Sequence, residues 1–335
     1  MLAAGRCGTN ESHSVPSENV NMAGSSFGVS LVLLTYNGMS FVEECLRMIT
    51  LQEFGWPLEI IHIDSGSTDG TLDVARAFSL PTRHIQKKDF HHSRTRNLAA
   101  DLARNNLVVY LSQDAIPASR HWLSSLVSPF QDQTVGGVYG RQIPPDTMGP
   151  LRKCAMGHLY PAKRDVRDPS AVPHLTLSML RFSDANAAIR KDLLTRFRFN
   201  EQALVCEDHG MCRDILSVGY KVIYEPDAAV IHGHERTLFG EFQWAVDNGI
   251  SLTRMGILGT KDTTRKELSY GVSAAAQQVR HFARVHQYHY AFMSACTSMV
   301  RWFGVQVGKR ETRLPAWILH KLSPGLRSVS LQQSS

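Results

Sequence analysis

The sequence predicts an α/β fold, a mostly parallel sheet with helices on both faces, followed by further helices at the C-terminus. Two observations carry the prediction. Short apolar runs alternate with segments of helical period over residues 29–112, the order that builds a parallel, doubly wound sheet. The runs are apolar at nearly every position rather than at alternate ones, as strands covered on both faces must be. At 335 residues, with 43% hydrophobic and 20% charged side chains, the chain suits one large domain or two modest ones.

"VSLVLLTY" (29–36) reads as the first strand and "MSFVEECLRMITLQ" (39–52) as the helix after it. "LEIIHIDS" (58–65) is the second strand. "TLDVARAF" (71–78) is a helix, with Ser67, Thr68 and Asp69 available to cap it. "TRHIQKK" (82–88) is a weaker strand, "SRTRNLAADLAR" (93–104) a helix and 107–112 a fourth strand. Beyond these, 135–145 reads as a short strand leaving the sheet, and 146–180, with weak periodicity, as an acceptor-facing loop. Residues 183–199 read as strand and helix. Over 206–235 come a turn, a helix ended by Gly219, a strand at 221–225 and a second at 228–232. Residues 236–258 and 266–306 have helical character. The division this implies is a leader at 1–27, a sheet-based domain at 28–258 with halves at 28–141 and 142–258, and a helical extension at 259–335.

The net charge of +6 and pI near 9.0 suit an anionic ligand, nucleic acid or an anionic membrane face without choosing among them. Six scattered cysteines in a chain of this size are no disulfide framework and predict a reducing, cytoplasmic compartment. Residues 1–27 are rich in Ser, Asn and Gly with no apolar core, which predicts a disordered leader rather than a signal peptide. No run of about 18 apolar residues is present.

In a parallel sheet, ligands sit at the carboxyl ends of the strands. Thr35-Tyr36-Asn37, Asp64-Ser65, Lys88-Asp89 and Gln113-Asp114 all fall there. Asp64 and Asp114 form the strongest pair: two carboxylates at one crevice hold a divalent cation and a ribose, or else are ordinary strand-end turn residues. Tyr36 offers a stacking surface for a nucleobase. In "HHSRTRN" (91–97), Arg94, Arg96 and Asn97 open a helix, where free N–H groups and guanidinium side chains favour phosphate. Glu207 and Asp208 precede a helix; a helix N-terminus favours the ionised carboxylate, which accepts a proton. Two adjacent acids exceed what a cap needs. His232 and His234, alternate residues of an extended segment, point the same way and could share a metal. The Cys206-x-x-His209-x-x-Cys212 spacing has no second cysteine pair to close a tetrahedral zinc site.

Taken in order, "VLLTYNG", "IHIDSGSTDGT", "FHHSRTRNLAA", "LSQDAIP", "YGRQIP", "DANAAIRKDLL", "CEDHGM" and "GYKVIYEPDAAVIHGH" resemble the family 2 glycosyltransferases over about residues 28–250, and within them the rhamnosyltransferase-type branch. The resemblance implies the GT-A fold, a Rossmann-like nucleotide-binding sheet joined to an acceptor-binding half. It implies inverting transfer of a sugar, rhamnose from dTDP-rhamnose, with Mg²⁺ or Mn²⁺, to a saccharide or lipid-linked saccharide in cell-surface polysaccharide synthesis. A UDP-hexose or UDP-N-acetylhexosamine is the alternative donor. Thr35, Tyr36 and Asn37 would meet base and ribose, Asp64 the base with Ser65 beside it, and Arg96 with Asn97 the nucleotide. Gln113-Asp114 takes the place of the metal-binding DxD element, with Asp114 as ligand and His234 at the metal or diphosphate. Asp208 would be the base, supported by Glu207. The usual first acid of DxD is absent, since residue 112 is Ser and 113 is Gln.

Nothing in the resemblance calls for nucleic acid. The Arg, His and Lys interleaved with aromatics over 274–320 suit a peripheral position on the inner face of the plasma membrane, a packed helical cap or a homo-oligomer contact. A sugar nucleotidyltransferase would need a Gly-rich basic loop after the first strand, where "TYNGMSFVEE" has one glycine and no basic residue. A hydrolase on His91, His92, His232 and His234, and a non-catalytic nucleotide-sugar binding module, are the remaining rivals.

Overall fold

The computed structural model describes residues 28–171, 175–259, 273 and 275–333; the expected leader therefore lies outside the described residues. Strands β1 (Val29–Thr35), β2 (Leu58–Asp64), β3 (Thr82–His84) and β4 (Leu107–Ser112) alternate with α1 (Met39–Thr50), α2 (Thr71–Ala77) and α3 (His92–Leu102), in the expected order. β1 pairs in parallel with β2 and β4, and β2 with β3. Along β1 the side chains alternate between two cores. Val29, Leu31 and Leu33 pack on the face that holds α1, and Val32 on the face that also takes Tyr110, Ala99 and Met211. A strand buried on both faces needs apolar residues at every position, which is why its sequence shows no alternation.

The remaining strands are β5 (Ile116–Pro117), β6 (Val135–Ile143), β7 (Asp165–Arg167), β8 (Asn186–Arg190) and β9 (Lys221–Ile231). They make the second half mixed. β8 runs antiparallel to both β4 and β6, and β6 is parallel to β9. The full order is β3-β2-β1-β4-β8-β6-β9-β5, with β7 on β9. The two strands expected at 221–225 and 228–232 are one strand with an irregularity: pairing with β6 skips from Gly140↔Glu225 to Gln142↔Val230. Pro226 lies in the skip and has no N–H to offer the ladder.

Between β4 and β6 lies α4 (Trp122–Val127); α6 (Lys191–Phe197) and α7 (Glu207–Ser217) follow β8. Where weak periodicity over 146–180 predicts a loop, the chain instead forms α5 (Pro150–Leu159) and β7. Pro150 sits in the first turn of α5, and only Ala155 and Met156 are buried; so narrow a buried face leaves little period to read.

Helix α8 (Leu238–Arg254) leads to a helical stretch at 275–284 (α9), then α10 (Tyr288–Gly308), α11 (Ala316–Leu322) and α12 (Pro324–Gln333). The helix expected over 266–306 is thus two helices, broken near His286, whose φ is +59°; most of 266–274 lies outside the described residues. α10 lies close against α8. A Cβ on Gly304 would come 2.6 Å from the Phe242 carbonyl oxygen, and one on Gly308 2.2 Å from that of Val246.

One core residue carries a pH dependence. His62 is 1% exposed, its ring nitrogens 2.9 Å and 2.8 Å from the Thr35 and Thr82 hydroxyls. Burial lowers its pKa to about 4, against the opposite pull of Asp64. The unfolded chain therefore binds the extra proton below its ordinary pKa of about 6.5. Stability is complete above that pH and falls as pH drops towards 4, by about 3 kcal/mol. Urea unfolding at several pH values should show this slope, and His62→Gln should flatten it.

Candidate active site

The carboxyl ends of β1, β2 and β4 lie level, since Thr35 pairs with Asp64 and Leu34 with Ser112. β1 is followed outward by β2 and β3 on one side and flanked by β4 on the other, so this edge is the switch point where α/β folds open a crevice. A pocket of about 180 Å³ opens there, walled by Thr35, Tyr36, Arg96, Gln113, Asp114 and Asp184, among others. A larger one, about 630 Å³, shares Tyr36, Phe90 and His92 with it and is closed on its far side by Pro324, Gly325, Ser328 and Val329 of α12. The C-terminal extension is thus a wall of the cleft.

Asp64 is fully buried, and four donors of its own chain meet its two oxygens. Oδ1 accepts from the Gly66 and Ser67 N–H groups, Oδ2 from the Thr35 and Ser67 hydroxyls. Burial pushes this carboxyl up, but the hydrogen bonds from Ser67, Thr35 and Gly66 outweigh it and hold it below the usual range. Four bonds fill a carboxylate's acceptor capacity, so Asp64 shapes the cleft through the loop it holds. Ser65, next to it, lines the larger pocket with a buried hydroxyl that has no hydrogen-bond partner among the described residues. Asn37, at φ +45°, accepts from the Thr68 N–H and ties the same loop to the end of β1.

Gln113, the middle residue of the Ser112-Gln113-Asp114 element that stands where DxD would, bonds back to the end of β1. Its Oε1 accepts from the Tyr36 N–H at 3.0 Å and its Nε2 donates to the Tyr36 carbonyl at 3.1 Å. The amide acts as one more rung between β4 and β1. A carboxylate would accept the first bond and repel the second partner. Tyr36, held this way, carries Lys87 4.7 Å above its ring.

Asp114 meets both histidines of "HGH". His234 Nε2 lies 3.2 Å from Oδ2 and His232 Nε2 3.5 Å from Oδ1. The ligand atoms of Asp114, His232 and His234 all fall within 4.8 Å of one another. Burial pushes Asp114 up, yet His232 and His234 together hold its carboxyl below the usual range. Burial, with His232 adding, lowers His234 and so favours its neutral imidazole, while Asp114 opposes. His232 Nδ1 pairs with Gln142 Oε1 at 2.9 Å, and Gln142 is in turn anchored by its amide to the Ser183 hydroxyl. That partner takes the Nδ1 proton and orients the ring with Nε2 toward Asp114, the second-sphere pattern of a metal-binding histidine.

Behind the cleft, three acids gather around one guanidinium. Arg96 lies 2.7 Å from Asp184 and 3.1 Å from Glu207. Burial pushes Asp184 well up; Arg96 pulls the other way, and Glu207 and Asp208 push it further up. Asp208 begins α7. Its Oδ1 accepts from the backbone and ring nitrogens of His209, both at 2.8 Å, while Oδ2 has only a 3.4 Å contact from the Asp184 N–H.

The profile of the Glycosyl transferase family 2 matches residues 30–197. The O-antigen chain rhamnosyltransferase RfbN of Salmonella typhimurium is 33% identical over 225 residues, 66% of this chain and 71% of that one. WbaN of Salmonella anatum, also an O-antigen chain rhamnosyltransferase, is 31% identical over 66% and 71%. The chain is a family 2 glycosyltransferase. It belongs to the rhamnosyltransferase-like branch of that family. Among solved structures, the mannosyltransferase PcManGT of Pyrobaculum calidifontis, in complex with GDP-Man and Mn²⁺, superposes with a TM-score of 0.53 at 19% identity, covering 91% of this chain and 86% of its own. S. aureus TarS 1–349 with UDP-GlcNAc reaches 0.50 at 15%, over 86% and 92%. The fold is GT-A.

Seen as a transferase, the molecule brings most of the expected residues to one cleft and sets others behind it. Thr35, Tyr36, Gln113 and Asp114 line it, whereas Glu207 and Asp208 are joined to it through the lining residues Arg96 and Asp184. Arg96 reaches the cleft wall but is engaged by two buried acids. Asn97 is placed elsewhere: it exchanges hydrogen bonds with the Phe199 backbone and pins that loop to α3. Asp184 was not among the expected site residues, although it opens the quoted "DANAA". It follows no strand end, and an acid before a strand gives no signal of what it faces. Cys212 donates to the Met179 carbonyl and takes no part in a Cys206–His209 cluster.

Proposed function

We propose that the transferase moves rhamnose from dTDP-rhamnose to a hydroxyl of a saccharide or lipid-linked saccharide, with inversion, in cell-surface polysaccharide synthesis. The observation that carries this reading is the convergence of His232 and His234 on Asp114, which lines the cleft at the strand ends, with Asp208 in contact with Asp184 of the same cleft wall. The sugar rests on the two rhamnosyltransferase relatives.

One carboxylate and two imidazoles suit a divalent cation that accepts nitrogen as readily as oxygen. Mn²⁺ fits this set better than Mg²⁺, which prefers oxygen alone. The second imidazole supplies the charge-neutral donor that replaces the missing first acid of DxD. Asp114, His232 and His234 would hold the ion, which when bound offsets charge on the diphosphate. Tyr36 presents its ring to the base, and the unpartnered Ser65 hydroxyl offers the nucleoside a hydrogen bond. Asp208 Oδ2, the freer oxygen, takes the acceptor hydroxyl's proton as that oxygen attacks the anomeric carbon from the face opposite the diphosphate. His209 fixes the carboxylate through Oδ1, and Glu207 with Asp184 holds Arg96 beneath it.

A panel of nucleotide sugars, each assayed for nucleoside diphosphate release with Mn²⁺ and a saccharide acceptor, tests the reading. dTDP-rhamnose is expected to exceed UDP-glucose and UDP-N-acetylglucosamine by at least tenfold in kcat/KM. Equal or better turnover of a UDP-sugar would overturn the donor assignment. Asp114→Ala is expected to remove Mn²⁺ binding measured directly by calorimetry. Unchanged binding would place the cation elsewhere.

A further inference from the structure

Helix α10 has its apolar side turned outward. At ~100° per residue, Tyr288, Phe292, Met299, Trp302 and Phe303 share one stripe about 100° wide, and each is between 50% and 68% exposed. The opposite side carries Ser294, Gly304 and Gly308, all buried, with the two glycines set against α8. A helix that buries its small residues and displays its aromatics has a partner beyond the protein's own core. The patch continues onto α8: Phe239, itself 59% exposed, stacks on Phe242, which stacks on Phe303.

The charge around this face is one-sided. Residues 275–333 hold eight Lys and Arg side chains and a single acid, Glu311, which is engaged by Arg254. Arg310, Arg313 and Lys321 are exposed just beyond the end of the stripe. Trp317, also exposed, lies under Lys321 at 5.5 Å. Aromatic side chains with a basic fringe match a bilayer interface, where rings enter the headgroup boundary and cations meet anionic lipid. With 21 residues α10 has the length of a spanning helix, but no described helix is apolar enough to cross a membrane.

We propose that α10, with the start of α8, docks the transferase flat on an anionic bilayer surface. The docking does not depend on which sugar is transferred. It would bring the cleft close to a lipid-linked acceptor, because α8 begins four residues after His234 and the glycine contacts seat α10 on it.

The test is co-sedimentation of the full chain with vesicles of phosphatidylcholine alone or with about 30% phosphatidylglycerol, at about 50 mM and about 500 mM salt. Binding is expected to the anionic vesicles only, weakened by salt, with a blue shift in tryptophan emission. Phe292→Asp/Trp302→Asp, both exposed positions, is expected to bind roughly tenfold or more weakly. Its circular dichroism and its turnover of a soluble acceptor should be those of the wild type. Arg310→Glu/Arg313→Glu, on the fringe, should weaken binding severalfold. Three outcomes overturn the proposal: wild type that ignores anionic vesicles, variants that bind as the wild type does, or a lipid-independent dimer that Phe292→Asp/Trp302→Asp splits, which would make a second copy the occupant.

Discussion

Asp208→Asn is expected to lower turnover by roughly 10²–10⁴-fold while donor affinity stays near that of the wild type, the range a positioned general base supplies. Asparagine keeps the shape and can still accept from the His209 N–H, so the first turn of α7 should hold. What it loses is the negative oxygen proposed to take the acceptor proton. Donor binding, measured by calorimetry, reads the cleft and not the base. Nucleoside diphosphate release with acceptor present reads the chemistry. A variant that keeps more than about a tenth of wild-type kcat would remove Asp208 from the role. Asp184, whose carboxylate lines the same cleft, would then be the residue to replace next.

Arg96→Ala is expected to act on stability more than on donor binding. Asp184, Glu207 and Asp208 cluster in the interior, and Arg96 is the cation that touches two of them. Removing one partner of a buried ion pair leaves uncompensated charge, at a cost of about 3–5 kcal/mol. Burial already pushes Asp184 well up, so part of the loss will be relieved by protonation at Asp184. Asp184→Asn in the Arg96→Ala background is therefore expected to recover part of the stability. Chemical unfolding of the single and double variants measures this. If Arg96→Ala unfolded as the wild type does and only weakened donor affinity, Arg96 would be a nucleotide ligand and not the centre of the acid cluster.

The parallel half of the fold was legible because doubly buried strands leave an unmistakable apolar run, and strand ends follow from chain order. Thr35, Tyr36, Asp64, Gln113 and Asp114 could be placed at one edge on that basis alone. What each side chain touches was less legible. Asp64 looked like a ligand and is saturated by its own loop together with Thr35 of β1; Asn97 looked like a helix-start anion contact and bonds a neighbouring loop. Both are short polar side chains that serve backbone or ligand equally well, and sequence does not say which arrives first. His232 with His234 could be paired by their spacing, yet Gln142, which fixes the His232 tautomer, sits 90 positions away. The mixed half was harder again, because β7 and α5 bury too few residues to leave a period.

The pairing of Gln113 with Tyr36 bears on the entropy of ligand capture. A loop that becomes ordered only when a nucleotide arrives charges that ordering against affinity. Here the backbone of Tyr36 is already fixed as a rung of the sheet, and the loop after β2 is fixed by Asp64 and Asn37. That wall of the cleft is therefore preorganised: little backbone freedom is left to lose there on binding, and more of the contact energy is retained as affinity.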